Sequence, residues 1–341
     1  MRCNSFFGSV LWLRGLTLVG VMSIGLITIV GSGGGSIGMP SDCPPGLNCN
    51  VVPPPAPTYS IQPPYVTALV GTPVTYSAET SNISGGLTYQ WSRSFDGGVT
   101  YVDIPGATGK TYTLASVNLG DDGAMFQVLL RTSIAYLRAV SHLAVSATPG
   151  VVYEDDEFQA ADWLVAPFAD SNAPAPVQTE ERMATGGNPG AYRKMIFQIP
   201  PQAGSARVFY TSLAATYDPQ TQGAIYVIDY SEDGISLQAN ELTFTESAML
   251  LEQAGRRYIA NIRDDLPYIP TDWSAVESSS SLRAQDFNLI DGRACQAGES
   301  CPDFSALGLP MRFGYWRISF GVQGDSIAHG IDNWKVTVWR R

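Results

Sequence analysis

Carboxylates, aromatic rings and cysteines carry most of the chemistry open to this chain, because histidine is almost absent from it. Four acids run together as Glu154, Asp155, Asp156 and Glu157. If that segment is extended, Asp155 and Glu157 share a face, since strand side chains repeat with period two. Paired carboxylates cleave a glycosidic bond only from opposed positions across it, and no E-x-D-x-E strand supplies such acids here. Glu241 and Glu246 point to opposite faces if extended. His142 and His329 are the only histidines, and no G-x-S-x-G is present, so a Ser/His/Asp set has little to draw on. His142 reads as a surface residue beside a strand and His329 as a loop residue. No phosphate loop or dinucleotide fingerprint follows a strand. These patterns predict a protein without catalytic residues.

Binding chemistry is better represented. Exposed aromatic rings stack on the apolar face of a sugar while neighbouring polar groups bond its hydroxyls. Tyr268 and Trp273 lie in DDLPYIPTDWSAVESSSS, a loop-like stretch rich in proline and serine. They are the leading ligand-binding candidates, with edge-of-core packing as the other reading of Trp273. Tyr217 and Asp218 in ATYDPQTQG, and Tyr192 and Arg193 after GGNPG, are further candidates. Trp316, Trp334 and Phe313 fall inside strand patterns and are assigned to the core. Beyond Cys3 in the leader, the cysteines form two equally spaced pairs, Cys43 with Cys49 and Cys295 with Cys301. Small disulfide loops in an exported protein explain both; a zinc site would need four ligands and finds no histidine near either pair.

The elements that must position these residues follow from composition. At 341 residues the chain has room for two ordinary domains. Hydrophobic residues at 45% can fill their cores, and 34 glycines with 23 prolines supply the turns of an all-β fold. Net charge is −11, and residues 151–341 hold 25 acidic and 14 basic side chains against 5 and 4 in residues 58–148. A phosphate-backbone partner needs clustered Lys and Arg. Nucleic acid is therefore excluded as the expected partner, while a glycan, an envelope or surface protein, or a bound cation is compatible.

Residues 1–37 read as a signal peptide. Arg2 and Arg14 precede the apolar run Leu16 to Val30, which is short for a bilayer span, and GSGGGS follows. Extended backwards through Phe6 and Trp12, the same run reads as an uncleaved N-terminal anchor, the one route by which the chain would contact a membrane. The segment also resembles a bacterial lipoprotein leader, with Ser32 where that family carries its lipidated cysteine. Residues 38–57 are a proline-rich linker, extended because each X-Pro pair disfavours helix. The expected location is exported: periplasm, outer cell surface or secreted.

Between residues 58 and 148, Leu87, Tyr89 and Trp91 alternate with polar residues, and so do Asp122, Ala124, Phe126 and Val128. This pattern resembles the immunoglobulin-like sandwich, with Trp91 as its buried tryptophan and Asp122-x-Ala124-x-Phe126-x-Val128 in place of D-x-A-x-Y-x-C. Ala78 and Val128 stand where that family has its two disulfide cysteines, as in the cysteine-free modules of bacterial surface proteins. The resemblance implies that all five side chains, Ala78, Trp91, Asp122, Phe126 and Val128, belong to or frame one core.

Residues 151–341 again read as strands. AIYVIDYSEDG, RYIANI, MRFGYWRISF and WKVTVW are rich in aromatic and branched residues. Trp334, Val336 and Val338 share a face, which predicts a central terminal strand. VYEDDEF, GGNPGAYRKM, IYVIDYSEDG, FGYWRISF and GIDNWKVTV together resemble concanavalin A-like and related carbohydrate-binding jelly rolls. That resemblance implies a structural calcium ion, with Asp332 of IDNWKV as one ligand and Asp155 or Asp156 as others; a solvated acidic strand end is the alternative. The fold class expected is all-β: an Ig-like β-sandwich at 58–148 and a jelly-roll β-sandwich at 151–341, preceded by an apolar signal segment and a Pro-rich linker. The expected function is that of an exported bacterial cell-envelope protein, non-catalytic, presenting a glycan-binding jelly roll on an Ig-like spacer. A structural or adhesive protein-binding surface protein and a polysaccharide-active hydrolase are the alternatives.

Overall fold

The computed structural model describes residues 58–341 apart from 84–85, 133–134, 170–173, 239–243, 261–268, 274–275, 291–292 and 298–299. The leader, the proline-rich linker, Glu241 and Tyr268 lie outside the described residues. So do Cys43 and Cys49, and with them the disulfide expected between Cys43 and Cys49. Residues Pro55–Arg341 form one compact unit. Within it the chain is all-β, and none of its described helices is long and apolar enough to cross a membrane.

The first eight strands are β1 (Thr58–Gln62), β2 (Tyr65–Leu69), β3 (Val74–Ser81), β4 (Thr88–Ser94), β5 (Val102–Asp103), β6 (Thr111–Leu114), β7 (Met125–Arg131) and β8 (Tyr136–Ser146). They make a three-stranded sheet, β1-β3-β6, and a five-stranded sheet, β2-β8-β7-β4-β5. Alternation does the sorting. Val74, Tyr76 and Ala78 of β3 turn inward, as do Phe126, Val128 and Leu130 of β7. Trp91 is completely buried opposite Val128 and donates its indole N–H to Gly109 O at 2.9 Å. Tyr76 and Tyr112 approach its ring at 6.2 and 6.0 Å. Burying each such side chain contributes about 1.5–3 kcal/mol, enough that no covalent bond between Ala78 and Val128 is required. Both of those residues are fully buried in the same core. This is an Ig-like sandwich.

Twelve further strands follow: β9 (Val151–Asp155), β10 (Trp163–Phe168), β11 (Val177–Gly187), β12 (Gly190–Gln198), β13 (Ser205–Tyr217), β14 (Ile225–Ser236), β15 (Phe244–Gln253), β16 (Arg256–Ala260), β17 (Val276–Leu282), β18 (Phe287–Leu289), β19 (Met311–Phe320) and β20 (Ser326–Arg340). One sheet runs β10-β13-β19-β15-β16-β18; the other runs β11-β12-β20-β14-β17, with β9 also paired to β20. Every pairing in them is antiparallel. The core between them is strongly aromatic, with Phe197, Tyr210, Tyr315 and Trp334 all buried. Trp334, Val336 and Val338 of β20 do share the inward face, and β20 is central, flanked by β9 and β12 on one side and β14 on the other.

The interior of this second sandwich is not purely apolar. Arg317 is fully buried and paired with Glu232 at 2.9 Å, while Ser247 and the Tyr230 hydroxyl complete the contacts to that carboxylate. Burial weakens the hold of the Arg317 guanidinium on its proton, but the Glu232 carboxylate more than restores it. His329 lies in β20, not in a loop, and is fully buried, edge-on to Phe197 at 4.6 Å. Neither ring nitrogen has a hydrogen-bond partner among the described residues. Burial, reinforced by nearby Arg317, holds its pKa well below the ordinary histidine value.

The two sandwiches meet through a polar junction. Asp122 accepts the Val145 N–H at 2.9 Å and the hydroxyl of Tyr226, whose ring carries the guanidinium groups of Arg283 and Arg341 at 5.0 and 4.8 Å. Asp229 accepts from Thr67 at 2.8 Å, from the Ser281 N–H at 2.7 Å and from the Trp339 indole at 2.7 Å. Burial raises the Asp229 pKa, and these three bonds oppose the rise. Ala144, Tyr226 and Val227 form a small apolar cluster beside them.

Candidate functional site

The turn between β11 and β12 organises a place where, among the described residues, sequence candidates from several segments meet. Gly187 pairs with Gly190 across it, and a Cβ on Gly187 would meet Asp332 Oδ2 at 2.5 Å, so only glycine lets the turn close over that carboxylate. Asp332 is completely buried beneath the turn. Its Oδ1 accepts the Asn333 N–H at 2.7 Å and its Oδ2 accepts the Asn188 N–H. Burial, with Asp233 and Asp156 nearby, raises its pKa, and the two N–H bonds pull the other way.

Asp233 of β14 lies directly opposite Asp332 in register. Its Oδ2 accepts from the side-chain amides of Asn188 at 3.0 Å and Asn333 at 2.7 Å. Asn333 adopts φ +50°, the left-handed conformation that asparagine tolerates better than most residues. Above the cluster sits Trp273, half-buried. Its indole donates to Gly186 O at 2.9 Å, its carbonyl accepts from Asn188 at 3.2 Å, and Tyr192 meets it edge to face at 5.4 Å. An aromatic ring is thus held beside two carboxylates and two carboxamides, whose described hydrogen bonds run to one another and to the backbone of the turn.

The remaining candidates are placed elsewhere. Tyr217 ends β13 fully buried, with its hydroxyl donated to Gly223 O at 2.7 Å, so it offers no ring face to a ligand. Asp218 caps the single-turn helix α1 (Pro219–Gln222), accepting the Gln220 N–H at 3.0 Å. Arg193 faces inward, 2% exposed; it donates to the Tyr315 hydroxyl at 3.0 Å and lies over the rings of Phe158, Trp163 and Tyr210. Burial corrects two of these expected ligand contacts, Tyr217 and Arg193, while the half-buried Asp218 is engaged as a cap. In each case a residue that reads as loop-flanking belongs to the core or caps a turn.

The residues present do not fit the calcium site that the resemblance implies. Asp155 spends both oxygens on the N–H groups of Glu157 and Phe158, at 2.9 and 2.8 Å, and on the Trp163 indole at 2.7 Å. The oxygens of Asp332 hold amides, and Asp156 is an exposed side chain. No group of three or more His, Cys, Asp or Glu side chains converges among the described residues. Of the two expected disulfides, Cys295 and Cys301 form theirs. Cys43 and Cys49 fall outside the described residues, so the bond between Cys43 and Cys49 stays an expectation from sequence. His142 stacks on Tyr65 at 4.8 Å.

Fold and site together define an all-β protein of two joined sandwiches, the first Ig-like. No family model and no curated protein matches the chain. Among solved structures, it resembles the N-terminal four Ig domains of Dscam1 isoform 6.9, at 22% identity and TM-score 0.22 over 26% of this chain and 20% of that one. A marsupial T cell receptor matches at 10% identity and TM-score 0.23, covering 46% and 94%. The N-terminal eight Ig domains of Down Syndrome Cell Adhesion Molecule match at 13% identity and TM-score 0.23, covering 67% and 32%. The chain thus spans about a fifth and a third of the two adhesion-molecule chains. At such TM-scores no role passes from these proteins to this one.

Proposed function

We propose that the chain is an exported, non-catalytic surface protein that adheres to glycan through the Trp273 end of its second sandwich, a jelly roll carried by the Ig-like module. The supporting observation is the convergence of Trp273 and Tyr192 with Asn188, Asp233 and Asn333 at one turn. Export rests on the apolar leader and the linker that follows it. Three of the described carboxylates are spent on structure: Asp155 on a turn, Asp332 on the β11–β12 turn, Glu232 on Arg317. None of them is left poised across an open cleft, as glycoside hydrolysis would need. Screening the full chain against a glycan array, with Trp273→Ala as control, tests the reading. Binding to one glycan class, weakened about thirtyfold in the variant as for a central tryptophan contact, is expected; absence of binding to any sugar removes it.

A protein partner is the second reading, favoured by a separate patch. Phe95, Val99 and Val102 are 58%, 82% and 71% exposed on the Ig-like sandwich. Phe95 and Val102 border an open groove with Arg93, Asp96 and Asp103, where the Arg93 guanidinium lies 4.4 Å above the Phe95 ring. An apolar centre with a charged rim is the anatomy of a protein-binding patch.

A further inference from the structure

We propose that the β15–β16 hairpin and the loop from Asp303 to Pro310 form a docking surface for an anionic lipid membrane. The proposal is independent of the Trp273 reading. Three guanidinium groups converge on one groove of about 610 Å³: Arg256 and Arg257 from β16, and Arg312 from β19. Glu252 is the only acid among the described residues of its lining. The lining is therefore net positive in a half of the chain whose own balance is net negative.

One of the three cations is held in place by its neighbours. Arg257 is paired with Glu252 at 2.5 Å and lies 5.1 Å over the Phe209 ring. Arg312 faces Thr216 and Glu252 across its neighbouring strands and is exposed, as is Arg256. Planar guanidinium groups grip the oxygens of phosphate in pairs, which makes them better headgroup ligands than lysine.

The adjoining loop supplies the apolar half. Leu307 and Leu309 are 84% and 53% exposed, and Pro310, next in sequence, lines the groove itself. Ordinary surface leucines occur singly; here a pair is displayed by a rigid loop beside the arginines. The Gln253 amide donates to Asp303 O at 3.0 Å and Leu309 O at 2.8 Å, and its oxygen accepts the Asp303 N–H at 2.7 Å. Phe304 is buried as an anchor, and a Cβ on Gly308 would meet Asp303 O at 2.2 Å, so the loop keeps its shape only with glycine there. Apolar tips that enter the acyl boundary, flanked by basic groups at headgroup level, are how a protein lies on an anionic bilayer without spanning it.

Vesicle co-sedimentation of residues 55–341, which hold both cores and every contact described above, tests the proposal without the apolar leader. Vesicles of phosphatidylcholine with about 30% phosphatidylglycerol are expected to retain the protein roughly tenfold more strongly than pure phosphatidylcholine, and about 0.5 M salt to abolish the difference. Arg312→Ala should weaken retention about fivefold, the worth of one basic residue near a charged surface. Leu307→Ser with Leu309→Ser should weaken it at least as much; all these side chains are exposed, so melting temperatures should match the parent. Equal retention on neutral and anionic vesicles, none on either, or unchanged retention in both variants overturns the proposal. So does capture by soluble polygalacturonate that the leucine variant binds as well as the parent, which would make the groove a polysaccharide site.

Discussion

Replacing His329 should change how the protein responds to acid more than how stable it is at neutral pH. The ring is fully buried, unbonded at both nitrogens among the described residues, and close to the Arg317 charge, so the native state refuses a proton. The unfolded chain accepts one with a pKa near 6.5. A histidine whose folded pKa is depressed contributes stability that is complete above the unfolded value and is lost as pH falls, with a slope approaching about 1.4 kcal/mol per pH unit. Between about pH 7 and pH 5 the loss integrates to roughly 2 kcal/mol. For a unit of this size that is a fall in Tm of about 3 °C. Asp229 and Asp332, whose burial raises their pKa values, push the other way over the acid range. The informative quantity is therefore the difference between the parent and His329→Gln, in which those acids cancel. Calorimetric melts at several pH values should show the parent losing about 2 kcal/mol more than the variant between neutral and pH 5. Parallel curves would refute the reasoning, because they would mean that native His329 takes up its proton as readily as the unfolded chain.

Glu232→Gln should cost about 3–5 kcal/mol in urea unfolding, because it strands the Arg317 charge in the core, and pairing it with Arg317→Met should recover most of that loss; a cost below 1 kcal/mol for the single change would mean that water reaches the pair. Tyr226→Phe removes the hydroxyl shared by Asp122 and Arg283, worth about 1.5–3 kcal/mol for bonds to charged groups. Its expected signature is two resolved melting transitions where the parent shows one, and a single unchanged transition would count against the junction as the coupling element.

Much of the architecture was legible because a strand writes its buried face into the sequence. Trp91, Phe126 and Val128, and again Trp334, Val336 and Val338, could be assigned to cores from alternation alone. The site was legible only in part. Trp273 and Tyr192 stood out as aromatics near turns, but Asp233, Asn188 and Asn333 did not, since the pairing of Asp233 with Asp332 joins strands separated by about a hundred residues. The D-G of YSEDG, the N-P of GGNPG and the D-N of GIDNW were the available local signals. Polarity misled where the interior is itself polar. Arg193 and His329 read as surface or loop residues because charged and imidazole side chains are seldom fully buried; here aromatic rings receive them. Tyr217 misled for the opposite reason: the Asp-Pro that follows announces a turn, but the ring belongs to the last inward position of β13.

The junction bears on how a captured partner would be felt. Asp122, Tyr226, Asp229 and Thr67 fasten the sandwiches by several short side-chain bonds, with no loose tether between them. A pull at the Trp273 end would therefore turn both sandwiches together, as a single lever.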